Sequence, residues 1–279
     1  MGQSARAIGG LFLAAFKACL THRASSKAAA LAFYTLFSMA PILVLVLTVA
    51  GHLLGAQVAQ GAISAQLKTL VGPAGAAALQ NLAAGARMPS GGGATALALV
   101  LLAVGATSLF AELKDSLDEI WRRHAPVPTG LLALLRARLL SFGLVLTLSF
   151  LLLTSLMVNT CLALLAGFWA GSLWIFSGLS TAFTFVVIAC LFAVVYKMLP
   201  EVKLSWRDVA IGALITAALF SLGEYGIAAY LRSGAINTSF GAAGSLAVLL
   251  IWVYYSAQIF FLGAEFTREY ALRFGSLRG

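Results

Sequence analysis

The chain has 279 residues, 61% of them hydrophobic and 10% charged, with a mean hydropathy of +0.99. Soluble globular chains carry roughly 25% charged residues, so this composition excludes an ordinary water-soluble domain. The net charge of +9, from 18 Lys and Arg against 9 Asp and Glu, sits mostly in the loops of one side, and nucleic acid is not needed to explain it.

Residues 1–27 precede the first long apolar run. In this segment Ile8, Leu11, Phe12, Ala15 and Cys19 recur at helical spacing, while Arg6 and Lys17 fall off the stripe. The pattern predicts a short amphipathic helix, lying on the inner membrane surface or packed against a bundle. Lys17 interrupts the apolar stretch, and "FKA" before Cys19 makes a poor lipoprotein site, so the N-terminus is expected to be retained.

Uncharged runs cover 28–67, 88–111, 139–196, 209–223 and 233–264. A helix needs about 20 apolar residues to cross the hydrocarbon core. The alternation of a membrane barrel is absent, which leaves helices as the spanning solution. Six spans are predicted, at about 29–51, 94–111, 139–166, 173–196, 209–231 and 241–266, with "GFWAGS" as the turn inside the longest run.

The first span places Tyr34, Ser38, Pro41 and Thr48 on one polar stripe. Pro41 removes a backbone donor at mid-span, which suits either a packing kink or a surface facing protein or water. Residues 52–93 read as a helical hairpin resting on the outer leaflet, followed by the flexible "MPSGGG" link. Residues 112–138 form an inner loop that opens with "ELKDSLDEIWRRH". There Leu113, Leu117, Ile120 and Trp121 make an apolar face, and Lys114–Asp118, Asp118–Arg122 and Glu119–Arg123 are i,i+4 pairs on a solvated one. Trp121 is placed to anchor that helix at the interface.

The fifth span holds Glu224, a carboxylate expensive in hydrocarbon. It is expected to face the bundle, a cavity or a basic partner, as a structural hydrogen-bonding group or as part of a pathway. "NTSFGAAGS", beginning at Asn237, opens the sixth span, and Thr238 or Ser239 can cap that helix. Farther along, Tyr255, Gln258 and Glu265 fall within about 80° of one another on a helix. Gln258 is expected to need a partner inside the bundle. Glu265 lies nearer the cytoplasmic end, where an i,i+3 pair with Arg268 is the simplest account of its charge. Tyr34, Ser38, Pro41, Glu224, Asn237, Tyr255, Gln258 and Glu265 are therefore the candidates for a substrate or lipid pathway.

Basic residues orient the whole. Arg6, Lys17, Arg23 and Lys27, then Lys114, Arg122, Arg123, Arg136 and Arg138, then Lys197, Lys203 and Arg207, and finally Arg268, Arg273 and Arg278 lie on one side. Only Lys68, Arg87 and Arg232 lie on the other. The expected fold is an all-α polytopic membrane protein with six transmembrane helices in a single domain, 1–279. Both termini are cytoplasmic, with amphipathic interfacial helices and an outer helical hairpin.

His22, His52 and His124 show no paired spacing, and Cys19, Cys161 and Cys190 are dispersed. No P-loop or dinucleotide fingerprint is present. No catalytic residue, metal ligand or cofactor is predicted, and an enzyme is not expected.

Several stretches carry a family resemblance. They are "AAALAFYTLFSMAP" in the first span, "LDEIW", "RLLSFGLVL", "VVYKMLPEVKLSWRDVAIGALITAALF" and "FGAAGSLAVLLIWVYYSAQIFFLGAEFT" in the sixth. Together they resemble the YihY/BrkB family of bacterial inner-membrane proteins, once mislabelled ribonuclease BN, from about Ala28 to Thr267. The family pattern usually has Asn at the position of Asp118 and a basic residue near Glu224, so this chain departs at both. The resemblance implies six helices in the cytoplasmic membrane and a link to envelope integrity. It points to translocation or handling of lipids or lipid-linked envelope precursors, with membrane lipids as partners and no nucleic acid. Sodium (or potassium)/proton antiport is the alternative. A non-transporting scaffold, as a homo-oligomer or with envelope proteins, is the third.

Overall fold

A computed structural model describes residues 2–36, 108–109, 111–121, 173–200, 202, 204–232 and 244–277. Among these residues every regular element is helical and no strand occurs. We label them α1 (Gly2–Thr21), α2 (24–36), α3 (111–120), α4 (Leu173–Met198), α5 (Trp206–Arg232) and α6 (Gly244–Arg273). Among the described residues, three stretches are long and apolar enough to cross a membrane: Gly178–Met198, Trp206–Gly226 and Leu249–Arg273.

The fourth, fifth and sixth predicted spans correspond to α4, α5 and α6. The sixth helix continues to Arg273, about two turns beyond the predicted end, because Arg268 and Glu269 pair along the helix and do not end it. The first span begins within α2. The second span (apart from a few residues at its end), the third span, the hairpin at 52–93 and most of the 112–138 loop lie outside the described residues.

The chain divides into two units, one of Met1–His22, Lys114–Ser221 and Ile259–Gly279, the other of Arg23–Leu113 and Leu222–Gln258. In the first unit, α5 and α6 meet through paired small residues. A Cβ on Gly212 would lie 2.7 Å from Thr267 Cβ, and one on Gly263 would lie 2.8 Å from Thr216 Cβ. Each threonine donates its hydroxyl to the carbonyl one turn back on its own helix. Thr216 Oγ1 donates to Gly212 O at 2.7 Å, and Thr267 Oγ1 to Gly263 O at 2.6 Å. The same Gly-x-x-x-Thr unit thus appears on both helices, and each glycine receives the other helix's threonine. Lipid is as apolar as leucine, so helix association in a membrane relies on such close packing and not on hydrophobic burial.

An aromatic group closes the other side. Phe192 packs with Tyr196, Phe220 and Phe260, and Tyr196 with Phe260, ring centroids 5.1–6.2 Å apart. Tyr196 Oη donates to Phe260 O at 2.7 Å and lies 3.2 Å from Thr216 Oγ1, which satisfies a phenol that is wholly buried.

The segment joining α4 to α5 is fixed to the C-terminal turn. Ser205 caps α5, accepting from the Arg207 amide at 3.3 Å. Asp208, in the first turn where a negative charge suits the helix dipole, accepts from Ser276 N at 2.8 Å and Ser276 Oγ at 2.7 Å. Gly275 is required there, since a Cβ would meet the Asp208 carboxyl carbon at 2.5 Å. Lys197 donates to Leu204 O and lies 5.5 Å from the Trp206 ring centroid.

Helix α1 is packed against the bundle, the second of its two sequence readings. Leu11 and Ala15 are buried with Phe266, and Phe12, Ile215, Leu262 and Tyr270 surround them. The end of α3 departs from expectation. Leu117, Ile120 and Trp121 are buried, and so are Ser116 and Asp118. Lys114 Nζ at 2.8 Å neutralises Asp118, which lets this carboxylate leave water. Trp121 is an interior residue, not an interfacial anchor.

In the second unit, α2 buries Ala24, Ala28, Leu31 and Ala32 at helical spacing. Thr35 Oγ1 donates to Leu31 O at 2.7 Å.

Candidate functional site

Helix α6 carries a carboxylate where an apolar residue would be expected. Glu265 is 0% exposed, and α1 is the reason. That helix packs on the last turns of α6: Gly10 faces Arg273, Phe12 lies near Phe266 with centroids 4.9 Å apart, and His22 reaches Glu265.

His22 sits in the turn after α1, its amide bonded to Ala18 O at 2.8 Å. The next residue, Arg23, has φ 52°. A non-glycine residue seldom occupies that left-handed region, and here it ends α1 so that the imidazole points inward. His22 Nδ1 lies 2.5 Å from Glu265 Oε1. Arg268 Nη1 lies 3.7 Å from Glu265 Oε2, too long for a hydrogen bond, and Oε2 has no hydrogen-bond partner.

The ionic chain continues outward. Arg268 Nη1 is 3.4 Å from Glu269 Oε1, and Arg273 Nη2 is 3.6 Å from Glu269 Oε2. Side-chain exposure rises along it, from 0% at Glu265 and 10% at Arg268 to 46% at Arg273. The ionic chain therefore runs from the interior towards the end of the bundle by i,i+3, i,i+1 and i,i+4 steps along α6. Two carboxylates face two guanidiniums, and His22 adjoins the innermost carboxylate.

Cys19, one turn before His22, is half-buried beside the cluster. Burial first, and then the nearby Glu265 charge, push its thiol up to about 12. A thiol so protonated is a poor nucleophile. Among the described residues no group of three or more His, Cys, Asp or Glu is placed to hold a metal ion.

Of the residues selected from sequence, Glu265 alone belongs to the first unit. Tyr34, Glu224, Tyr255 and Gln258 belong to the second, and no hydrogen bond, ion pair or ring contact joins these four to one another among the described residues. Ser38, Pro41 and Asn237 lie outside the described residues. Glu224 is exposed, beside Leu222 and Tyr225 at 70% each. Gly223 takes the buried position on that turn. Burial is the reverse of what the sequence suggested for the other pair. Gln258 is half-buried and makes no side-chain hydrogen bond to another described residue. Glu265, expected at the interface, is the group enclosed by protein. The Glu265–Arg268 proximity was legible, whereas His22 was missed because nothing in a linear sequence joins positions 22 and 265.

A family model described as "Virulence factor BrkB" matches residues 15–278. The chain belongs to this family. The BrkB chain is also similar to proteins described as UPF0761 membrane proteins. One from Halorhodospira halophila is 29% identical over 179 residues, 62% of this chain and 38% of that protein. Another from Methylibium petroleiphilum is 30% identical over 167 residues, 60% of this chain and 39% of that protein. A third, from Vibrio cholerae serotype O1, is 37% identical over 84 residues, 30% of this chain and 28% of that protein. The BrkB chain thus spans between 28% and 39% of the length of these relatives. No solved structure matches it. It is a helical membrane protein, and the resemblance read from its motifs is its family.

Proposed function

We propose that this BrkB protein handles anionic lipids or lipid-linked envelope precursors, translocating them across the inner membrane with both termini in the cytoplasm. One observation carries the reading. Basic groups gather at one end of the first unit, where α1, the end of α4, the start of α5 and the end of α6 meet. Lys17, Lys197, Arg207 and Arg273 belong there, above helices whose outer surfaces expose Leu179, Val186 and Leu214. A basic rim on an apolar bundle attracts anionic headgroups, at about 1 kcal/mol for each Lys or Arg near the surface.

The test is reconstitution into vesicles holding fluorescent phosphatidylglycerol or phosphatidylcholine, with dithionite bleaching as the readout. Bleaching beyond the outer-leaflet fraction is expected, faster for phosphatidylglycerol, and slowed by Arg207→Gln combined with Arg273→Gln. Bleaching identical to protein-free vesicles for both lipids rejects the reading.

A second reading, cation/proton exchange, is favoured by the enclosed His22–Glu265 pair, since titratable groups inside a membrane bundle are natural proton carriers. Sodium- or potassium-dependent proton flux in everted vesicles, lost in Glu265→Gln, is its expected signature. Absence of flux at every pH removes it. Neither reading involves covalent chemistry, and we assign no catalytic residue.

A further inference from the structure

We infer that α1 is a lipid-embedded helix, and that its free face (Leu13, Phe16 and Leu20) lies among the acyl chains of one leaflet, at the boundary with the headgroups. These side chains are 57%, 56% and 64% exposed. On a helix they fall within about 60° of one another, and roughly 120° around from Leu11, Phe12 and Ala15, which face the protein. Lys17 and Thr21, both exposed, border the free face on its other side. Helix α1 therefore has three sectors, one against protein, one apolar and uncovered, and one polar.

The depth of its protein contacts identifies what covers the apolar sector. The inner face rests on Leu262 and Phe266 of α6 and on Ile215 of α5. All three lie inside the stretches able to cross a membrane, Leu249–Arg273 and Trp206–Gly226. Leu262 is about 16 Å along the axis from Arg273 at the usual helical rise. A helix packed at that depth turns its opposite side to hydrocarbon. Trp206, Leu272 and Phe274, at the start of α5 and the end of α6, are exposed apolar groups as well. The apolar stretch Gly9–Thr21 is too short to cross, so α1 enters one leaflet without spanning it. Lys17 is placed to extend its ammonium to the phosphates. The stripe that suggested a membrane-surface helix in the sequence is the one buried in protein, and a different face meets lipid.

Power-saturation EPR tests this in the full chain, with Cys19, Cys161 and Cys190 replaced by serine and vesicles of phosphatidylethanolamine and phosphatidylglycerol. Nitroxides placed by Leu13→Cys, Phe16→Cys and Leu20→Cys should be relaxed several-fold more by oxygen than by a water-soluble nickel chelate. A nitroxide placed by Thr21→Cys should show the opposite preference. Relaxation of all four by nickel would put the face in water. Inaccessibility of the first three to both reagents would mean protein covers it, as in a pair of chains. Either result overturns the inference. The unmodified chain offers a second measurement that needs no substitution. A diazirine on the upper acyl chain should mark the tryptic peptide 7–17, and absence of that adduct alongside adducts on the spanning helices equally overturns it.

Discussion

Replacing Gly263 with alanine tests the packing that brings α5 and α6 together. The new methyl would sit 2.6 Å from Tyr196 Oη and 2.8 Å from Thr216 Cβ, distances that real Cβ atoms do not adopt. Either the helices separate or the tyrosine turns away. Overpacking of this kind costs about 1–3 kcal/mol. Displacing Tyr196 Oη from Phe260 O leaves a buried donor unmatched, at about 1–3 kcal/mol more. Alanine returns at most about 1 kcal/mol of helix propensity, so the net loss is about 1–6 kcal/mol. The measurement is thermal unfolding of the detergent-purified protein, with Gly178→Ala as control, because nothing lies within 4 Å of a Cβ at Gly178. That control should match the wild type or exceed it slightly. Tyr196→Phe removes one of the atoms the new methyl would meet, Thr216 Oγ1 lying nearer still, so the double variant should lose less than the sum of the two single losses. Wild-type stability for Gly263→Ala, or strict additivity with Tyr196→Phe, refutes the reasoning.

Other perturbations probe the ionic chain and the C-terminal turn. His22→Ala leaves a buried carboxylate with only a distant guanidinium and should cost about 3–5 kcal/mol, whereas Glu265→Gln keeps an acceptor for His22 and should cost less; chemical unfolding of both variants orders them. Asp208→Ala frees Ser276 from two hydrogen bonds to a charged group, each worth about 1.5–3 kcal/mol at most, and limited trypsin digestion should then cleave after Arg273 several-fold faster. Cys19, with its thiol near 12, should react slowly with maleimide at pH 8, where roughly one thiol in ten thousand is ionised. Removing the neighbouring charge by Glu265→Gln lowers that value, so the rate should rise; an unchanged rate would mean Glu265 is not charged beside Cys19.

The sequence carried the class and the helices because both follow from local rules. Uncharged length defines a span, and α4, α5 and α6 begin within three residues of where hydropathy placed them. Helix α6 runs about two turns past the predicted end of its span. Hydropathy reads Glu265, Arg268 and Glu269 as the end of a span, but i,i+3 pairing and the cover of α1 allow the helix to continue. The Gly-x-x-x-Thr unit was visible at 212–216 and again at 263–267. What could not be read was that each glycine receives the other helix's threonine, since this depends on register between helices. Burial was least legible of all. Asp118, Glu224 and Glu265 look alike in one dimension, yet one is paired and buried, one exposed and one enclosed by a distant segment.

That last contrast bears on where function resides. A carboxylate exposed on a spanning helix, such as Glu224, has freedom to take up a proton or meet a partner, and its energy depends on its surroundings in the bilayer. Glu265 is different, because α1 supplies both its enclosure and its nearest polar contact, and no other hydrogen bond or ion pair joins α1 to the rest of the first unit among the described side chains. Docking of α1 and the environment of Glu265 are therefore one equilibrium. Whatever loosens α1 exposes Glu265 and Arg268, and whatever neutralises Glu265 weakens the polar tie on α1. If α1 rests in lipid, a change in the leaflet acts on the buried carboxylate through that helix, with no ligand entering the cluster. Under this reading, Leu13→Asp, far from Glu265 in sequence and facing away from it, should speed Cys19 alkylation as α1 lifts. A Cys19 rate unchanged by Leu13→Asp would uncouple the two and leave the ionic cluster a static structural feature.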